Sequence, residues 1–185
     1  MLSIDIKFFH LINNLANRWP MLDMLGIFAA VVLLPMMAFL LVLAAFTIKR
    51  LWEEHWYEMP IKAGVAGLIG YGIRFVIGEI VGRGRPFAVL ENVHQLVPKE
   101  AVLDSFPSGH TTLAFALAFV VFKQDRDWGI AFLILATIVA LGRVFTGLHF
   151  PMDIIGGAIV GWLGAWVVQK IEHRQWGKIE RRLQG

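Results

Sequence analysis

Three short segments of the chain carry arginine, serine, histidine and aspartate in patterns suited to holding and transferring a phosphate group. They are Gly82-Arg83-Gly84-Arg85-Pro86, then Pro107-Ser108-Gly109-His110, then a stretch that contains Arg143, His149 and Asp153. Arginine forms paired hydrogen bonds with phosphate oxygens and keeps its charge. Two histidines supply what group transfer needs, one as the nucleophile and one as the proton donor. The segments therefore predict chemistry on a phosphate.

The second and third segments also predict how these groups are presented. Ser108 and Gly109 precede an apolar run, which predicts a helix start whose backbone N–H groups attract an anion. A glycine there lets the backbone approach the anion closely. Asp153 lies four residues beyond His149, with Pro151 between them as a first helical residue. A carboxylate at that spacing can hold one tautomer of the imidazole, as an aspartate does in a catalytic triad.

The composition excludes several classes of protein. The chain has 185 residues, of which 57% are hydrophobic and 17% charged, and it has no cysteine. Soluble domains carry about 25% charged residues and disordered chains are poor in apolar ones, so both classes are excluded, as are cysteine nucleophiles and thiolate metal sites. The net charge of +3 does not indicate nucleic acid, because the basic residues flank apolar runs as they do in membrane proteins. We expect one domain over residues 1–185, embedded in a lipid bilayer.

The apolar runs predict an all-α polytopic membrane bundle with about five transmembrane helices. A helix of roughly 20 apolar residues crosses the hydrocarbon core. The predicted spans cover residues 24–48, 63–81, 106–122, 128–141 (continuing past Gly142) and 154–168.

The segment before the first span has a helical pattern of its own. Ile4, Phe8, Leu11, Ile12 and Leu15 recur at helical spacing, with polar residues between them. This predicts an N-terminal amphipathic helix lying in the membrane interface. Packing of the same helix on the span bundle explains the pattern equally well.

Alternate loops of a five-span chain lie on opposite sides of the membrane. One set of loops holds ten lysines and arginines and the other holds six, and positive charge favours the cytoplasmic side. This places the C-terminus in the cytoplasm and all three polar segments at the outer face. Taken singly, Arg83 and Arg85 are explained as interfacial anchors, Ser108 as a helix cap and His110 as an ordinary helical residue. Those explanations do not account for all three segments lying at the same face of the membrane, and this coincidence favours a functional site.

The three segments, in this order, resemble the motifs of the type-2 phosphatidic acid phosphatase and vanadium haloperoxidase superfamily. The resemblance covers residues 78–153 and rests on Arg85-Pro86, on Pro107 to His110, and on Arg143 to Asp153. Two positions depart from the family pattern, since Gly78 stands where the family has lysine and Gly142 where it usually has serine.

Within the superfamily, the stretch from Arg85 through Ser108 is similar to the bacitracin-resistance type of undecaprenyl diphosphate phosphatases, which can also lack the lysine. Phosphatidylglycerophosphate phosphatases and lipid A phosphatases are the nearest alternatives. The resemblance implies a lipid substrate whose tail stays in the bilayer. It also implies a multi-pass protein of the bacterial inner membrane, with its active site facing the periplasm or cell exterior.

The resemblance also implies a role for each residue of the motifs. His149 would attack the terminal phosphorus and form a phosphohistidine, and Asp153 would orient it. His110 would protonate the leaving oxygen and then activate water. Because arginines supply the positive charge, no metal and no cofactor is implied. The groups implied to hold the phosphate oxygens are Arg85, Arg143, Ser108, the Gly109 N–H and Arg83.

Arg74 lies one helical turn before Gly78. We hypothesise that it partly replaces the missing lysine, with snorkelling of its side chain or pairing to Glu79 for packing reasons as the alternative.

Three other functions compete with a phosphatase. A haloperoxidase would bind vanadate in the same pocket, but membrane spans favour a lipid substrate. A non-enzymatic lipid or anion transporter would have no need of His110, His149 and Asp153. In a structural subunit, changing either histidine would have no effect.

Overall fold

All regular secondary structure in the described part of the chain is helical. The computed structural model describes residues 3–48, 57–98 and 102–183, with side chains as far as residue 172. An all-α polytopic membrane bundle, as predicted, is confirmed. The helices in these ranges are α1 (Ser3–Asn13), α2 (Pro20–Thr47), α3 (Glu58–Val81), α4 (Pro86–Val89), α5 (Gly109–Gln124), α6 (Arg126–Phe145) and α7 (Pro151–Leu183).

Some of the charges used to predict the orientation fall outside this description. Lys49, Arg50 and Lys99 lie outside the described residues. The same holds for the side chains of Arg174, Lys178, Arg181 and Arg182.

Among the described residues, four helices are long and apolar enough to cross a membrane. They are α2, α3, α6 and residues Pro151–Glu172 of α7, and they match four of the five predicted spans. The remaining predicted span is α5, which has 16 residues and is therefore about 24 Å long. It starts at Gly109 rather than at Phe106, because a residue before proline is disfavoured in a helix and Ser108 is extended.

Helix α5 packs against α3, α6 and α7, and small residues make this close packing possible. Ala114 and Ala118 are fully buried on α5. On α7, a Cβ at Gly161 would lie 2.5 Å from the Thr112 carbonyl oxygen of α5, and one at Gly164 would overlap the Ala66 carbonyl of α3. Small residues let helix backbones approach each other in this way in membrane bundles.

Helix α2 contains a single π-helical turn, Phe28–Val32, in which the Leu33 N–H donates to the Phe28 carbonyl. Pro35 follows shortly after, and it has no N–H to offer to the carbonyls four and five positions earlier. The turn therefore leaves a carbonyl of α2 available to another element. It packs against α6, where Gly142 contacts Ala29 and Ala30.

Helix α1 packs on the bundle through a face of mixed character, on which Phe9 is buried and Ile6 and Ile12 pack beside it. Asp5, Phe9 and Asn13 are buried, at spacings of four residues, and the Asn13 amide donates to the Phe145 carbonyl at 2.8 Å. The apolar residues Ile4, Phe8, Leu11 and Leu15 are exposed. Packing of α1 on the bundle is therefore confirmed, and its position in the membrane interface stays a prediction.

Candidate active site

The three predicted segments converge at one end of the bundle, where four helices begin or end. Helix α3 ends at Gly82, whose φ of 54° suits glycine. The chain that follows then pairs with residues 102–105, since the Arg85 N–H donates to Val102 at 3.0 Å and the Ser105 N–H to Arg83 at 2.9 Å. This pairing holds the arginine segment beside the start of α5.

A cavity of about 450 Å³ opens at this end of the bundle. Four of the predicted site residues line it, namely Arg85, Gly109, His110 and His149. Leu68, Tyr71, Arg74, Asp104 and Leu113 complete the described wall. The predicted residues Ser108, Arg143 and Asp153 are buried behind this wall.

His149 is held in one tautomer by two partners of opposite character. Its Nδ1 lies 2.9 Å from the Ser105 carbonyl oxygen, which can only accept, so Nδ1 carries the proton. Its Nε2 lies 3.1 Å from Arg85 Nη1, which can only donate, so Nε2 presents its lone pair. The ring is buried apart from the edge that lines the cavity. An imidazole in this state has the nitrogen needed for nucleophilic attack directed at an arginine.

Asp153 lies beside His149 but orients it mainly through Ser105. The Asp153 carboxylate accepts from Ser105 Oγ at 2.6 Å and from the Phe150 N–H at 2.8 Å. The distance from its Oδ2 to His149 Nδ1 is 3.6 Å, longer than a hydrogen bond. Ser105 therefore connects the two residues, with its hydroxyl on Asp153 and its carbonyl on the histidine.

Ser105 is the functional residue that the sequence interpretation missed. Its only signal in the sequence is its position, two residues before Pro107. Its contact joins it to Asp153, 48 positions away, and no local sequence pattern predicts such a contact.

The start of α5 forms one wall of the cavity, with Gly109 and His110 in its first turn. The first N–H groups of a helix have no acceptor within it and carry partial positive charge. Ser108 occupies the N-cap position without a side-chain cap bond. Its hydroxyl accepts from Thr111 Oγ1 at 3.1 Å instead. A side chain at Gly109 would press on Tyr71 at 3.2 Å.

Arg143 is held from behind by the π-helical turn of α2. It is buried, and its Nη1 donates to the Ala30 carbonyl at 3.3 Å, a carbonyl that Pro35 leaves without its π-register donor. The same contact explains the departure at Gly142, because a Cβ there would lie 2.8 Å from Ala29 Cβ and 2.9 Å from Ala30 N.

Gly78 marks the place of the missing lysine, and Asp104 fills it. A Cβ at position 78 would overlap the Asp104 carboxylate. That carboxylate forms an ion pair with Arg74, whose Nε also donates to the Pro107 carbonyl at 3.1 Å. Arg74 thus pairs with Asp104 and lines the cavity. Its replacement of the lysine as a phosphate contact stays a hypothesis.

Arg83 lies beside the cavity rather than on its described wall. Its Nη1 donates to Asp153 at 2.6 Å, and its guanidinium lies over the Phe150 ring at 4.3 Å. Its predicted contact with phosphate stays a prediction.

Within the described ranges, no three histidine or carboxylate side chains come together as metal ligands would. The absence of a metal requirement stays a prediction.

The chain is similar to several proteins along most of its length. Residues 59–176 match the family model described as the PAP2 superfamily. The Bacitracin transport permease protein BcrC of Bacillus licheniformis is 31% identical over 98% of this chain and 91% of that protein. The putative undecaprenyl-diphosphatase YbjG of Escherichia coli is 30% identical over 98% and 89%. The crystal structure of Aquifex aeolicus LpxE superposes with a TM-score of 0.75 at 25% identity, covering 91% of this chain and 96% of that one.

Proposed function

The chain belongs to the PAP2 superfamily and is a membrane lipid phosphatase, and from this premise we propose that it removes the terminal phosphate of undecaprenyl diphosphate through a phosphohistidine. The observation that carries the proposal is the state of His149. Its Nδ1 carries a proton that it donates to the Ser105 carbonyl, and its Nε2 lone pair faces Arg85 at the cavity. This geometry supports His149 as the nucleophile, Ser105 as the group that orients it and Arg85 as an arginine that binds the phosphate.

In the first step, the Nε2 lone pair of His149 attacks the terminal phosphorus. The bond between that phosphorus and the bridging oxygen breaks, and His110 gives its proton to the departing lipid phosphate. Arg85 and the first N–H groups of α5 stabilise the charge on the equatorial oxygens, where it is greatest in the transition state. The Ser105 carbonyl holds the Nδ1 proton while the ring becomes positively charged.

In the second step, water replaces the histidine. His110, now neutral, takes a proton from the water molecule, whose oxygen attacks the phosphorus. The bond from phosphorus to Nε2 breaks, inorganic phosphate leaves, and both histidines return to their starting states. Asp153 keeps its position throughout by accepting from Ser105 and from the Phe150 N–H.

The lipid character of the substrate is supported by the position of the cavity. Leu68 and Leu113 form apolar parts of its wall, on helices α3 and α5 of the membrane bundle. A phosphate at the arginines can therefore be joined to a tail that stays in the bilayer. Undecaprenyl diphosphate is favoured over other lipid phosphates because a relative matching nearly the whole chain is described as a putative undecaprenyl-diphosphatase.

The test is phosphate release by the purified protein from undecaprenyl diphosphate, phosphatidylglycerophosphate and a lipid A phosphate in parallel. We expect the first to give the highest kcat/KM. A higher value for either of the others reassigns the substrate within the family.

The covalent step is tested with substrate labelled at the terminal phosphate. Quenching in an alkaline denaturant followed by alkaline digestion should recover alkali-stable, acid-labile label on histidine, and His149→Ala should abolish both the label and turnover. Turnover by His149→Ala at the wild-type rate would refute the proposed mechanism.

A further inference from the structure

Asp5 of helix α1 is buried against the catalytic end of the bundle, far from it in sequence. Its residue is 2% exposed. One carboxylate oxygen accepts from Arg83 Nη2 at 2.5 Å, and the other accepts from the Met152 N–H at 3.0 Å. Both oxygens therefore contact groups adjoining Asp153.

Arg83 bridges two carboxylates in this arrangement. One of its terminal nitrogens binds Asp5 and the other binds Asp153, and its side chain is only 16% exposed. The guanidinium is planar and rigid, so fixing one of its nitrogens fixes the direction of the other. A shift of Asp5 would therefore also shift the Asp153 carboxylate, which binds Ser105 and lies beside His149.

The second contact of Asp5 acts on the same carboxylate from the backbone side. Met152 lies in the first turn of α7, one residue before Asp153, and its N–H has no acceptor within the helix. A carboxylate at this helix start is favoured by the helix dipole. Asp5 thus holds the first turn of α7, from which Asp153 projects.

We infer that Asp5 is a positioning residue for the phosphatase reaction, acting through Arg83 and the start of α7 to keep Asp153 and His149 aligned. The inference rests on the proposed function, in which His149 is the nucleophile. It assigns helix α1 a part in catalysis that its amphipathic pattern does not express. It also gives Arg83 the role of a bridge between Asp5 and Asp153.

The matched control is Asn13 on the same helix. Asn13 is as deeply buried as Asp5 and also anchors α1, through the Phe145 carbonyl and the backbone of His94. These contacts touch neither Arg83 nor Asp153. Asn13→Ala therefore weakens the docking of α1 and leaves the positioning contacts in place.

The experiment compares kcat and KM of Asp5→Asn and Asn13→Ala in the full chain, on whichever lipid phosphate the wild type hydrolyses fastest. We expect Asp5→Asn to lower kcat about tenfold while KM stays within about twofold, because residues that share one salt-bridge network typically show coupling of this size. Asn13→Ala should lower the unfolding temperature and keep kcat within about twofold. A kcat of Asp5→Asn within twofold of wild type would overturn the inference.

A double-mutant cycle separates positioning from simple docking. Because Asp5 acts in part through Arg83, the variant carrying both Asp5→Asn and Arg83→Gln should lose less kcat than the product of the two single losses, and multiplying effects would contradict the inference. Should Asp5→Asn not fold, Arg83→Lys tests the same link, because the single ammonium of lysine lacks the rigid planar fork that fixes two carboxylates relative to each other. A normal kcat for Arg83→Lys then overturns the inference. Failure of the proposed function would appear separately, as full activity of His149→Ala.

Discussion

Three groups, two from Ser105 and one from Arg85, act on His149 and Asp153, and each supplies a different part of the alignment. The Ser105 carbonyl sets the tautomer of the ring, the Ser105 hydroxyl binds the carboxylate, and Arg85 faces Nε2. Because a carbonyl can only accept and a guanidinium can only donate, the two ring nitrogens have no freedom to exchange roles.

At this scale we predict that Ser105→Ala lowers kcat by about tenfold. The substitution removes a hydroxyl bond to a buried carboxylate, worth about 1.5 kcal/mol, and keeps the backbone carbonyl on His149. Steady-state kinetics of the purified protein measures the effect. Thr137→Ala is the control, because its hydroxyl bonds to Leu133 within an exposed part of α6, and equal rates for the two variants would contradict the prediction.

A second prediction concerns His110 as proton donor. A lipid phosphate needs protonation of its leaving oxygen, whereas an aryl phosphate with an acidic phenol does not. His110→Ala should therefore stall on the lipid but release a burst of phenol from the aryl phosphate, equal in amount to the enzyme. Rapid-quench measurement detects the burst, and its absence with an aryl phosphate that the wild type hydrolyses would contradict the assignment of His110 as proton donor in the first step and base in the second.

The sequence predicted the residues of the cavity better than the residues behind it. His110, His149 and Arg85 could be named because their types and spacing are chemically distinctive, and all three line the cavity. Ser105 and Asp5 could not, because their roles depend on contacts 48 and 147 positions away. Serine and aspartate are common residue types, and only the folded chain brings these two to Asp153.

Among the helices, α2 determines the environment of Arg143 although it contributes no predicted site residue. Its π-helical turn and Pro35 leave the Ala30 carbonyl to receive Arg143. The apolar run predicted helix α2. It did not predict the π-helical turn, because that turn could be foreseen only by knowing what packs against it. Helix α5 starts three residues later than predicted for a local reason, since Phe106 precedes Pro107 and Ser108 is extended.

We predict that Gly142→Ser, which introduces the family residue, destabilises this protein. The new Cβ would lie 2.9 Å from the Ala30 backbone nitrogen, and overpacking of this kind costs about 1–3 kcal/mol. We expect a lower unfolding temperature in detergent together with a lower kcat, because α2 would move away from Arg143. Gly72→Ser is the control, since nothing lies within 4 Å of a Cβ there. A Gly142→Ser variant as stable and active as the control would show that α2 does not restrain Arg143.

In the whole molecule, the candidate catalytic groups lie at one end of the bundle while the chain passes back and forth. Helices α3 and α6 end there, and α5 and α7 begin there. The catalytic end therefore faces a single side of the membrane, which the balance of basic residues predicts to be the outer side. The basic residues that favour the cytoplasmic side lie away from the site, so the side of the membrane that the catalytic end faces is determined by the entire chain.

The orientation can be tested directly because the chain has no cysteine. Glu91 is exposed and follows α4 at the catalytic end, whereas Arg126 is exposed at the start of α6, at the opposite end. Single Glu91→Cys and Arg126→Cys variants should differ in intact cells, with a membrane-impermeant maleimide labelling the first and reaching the second only after permeabilisation. Retained phosphatase activity in both variants shows that each protein is folded. The reverse labelling pattern would place the catalytic end in the cytoplasm, and the substrate would then have to present its diphosphate from the inner leaflet.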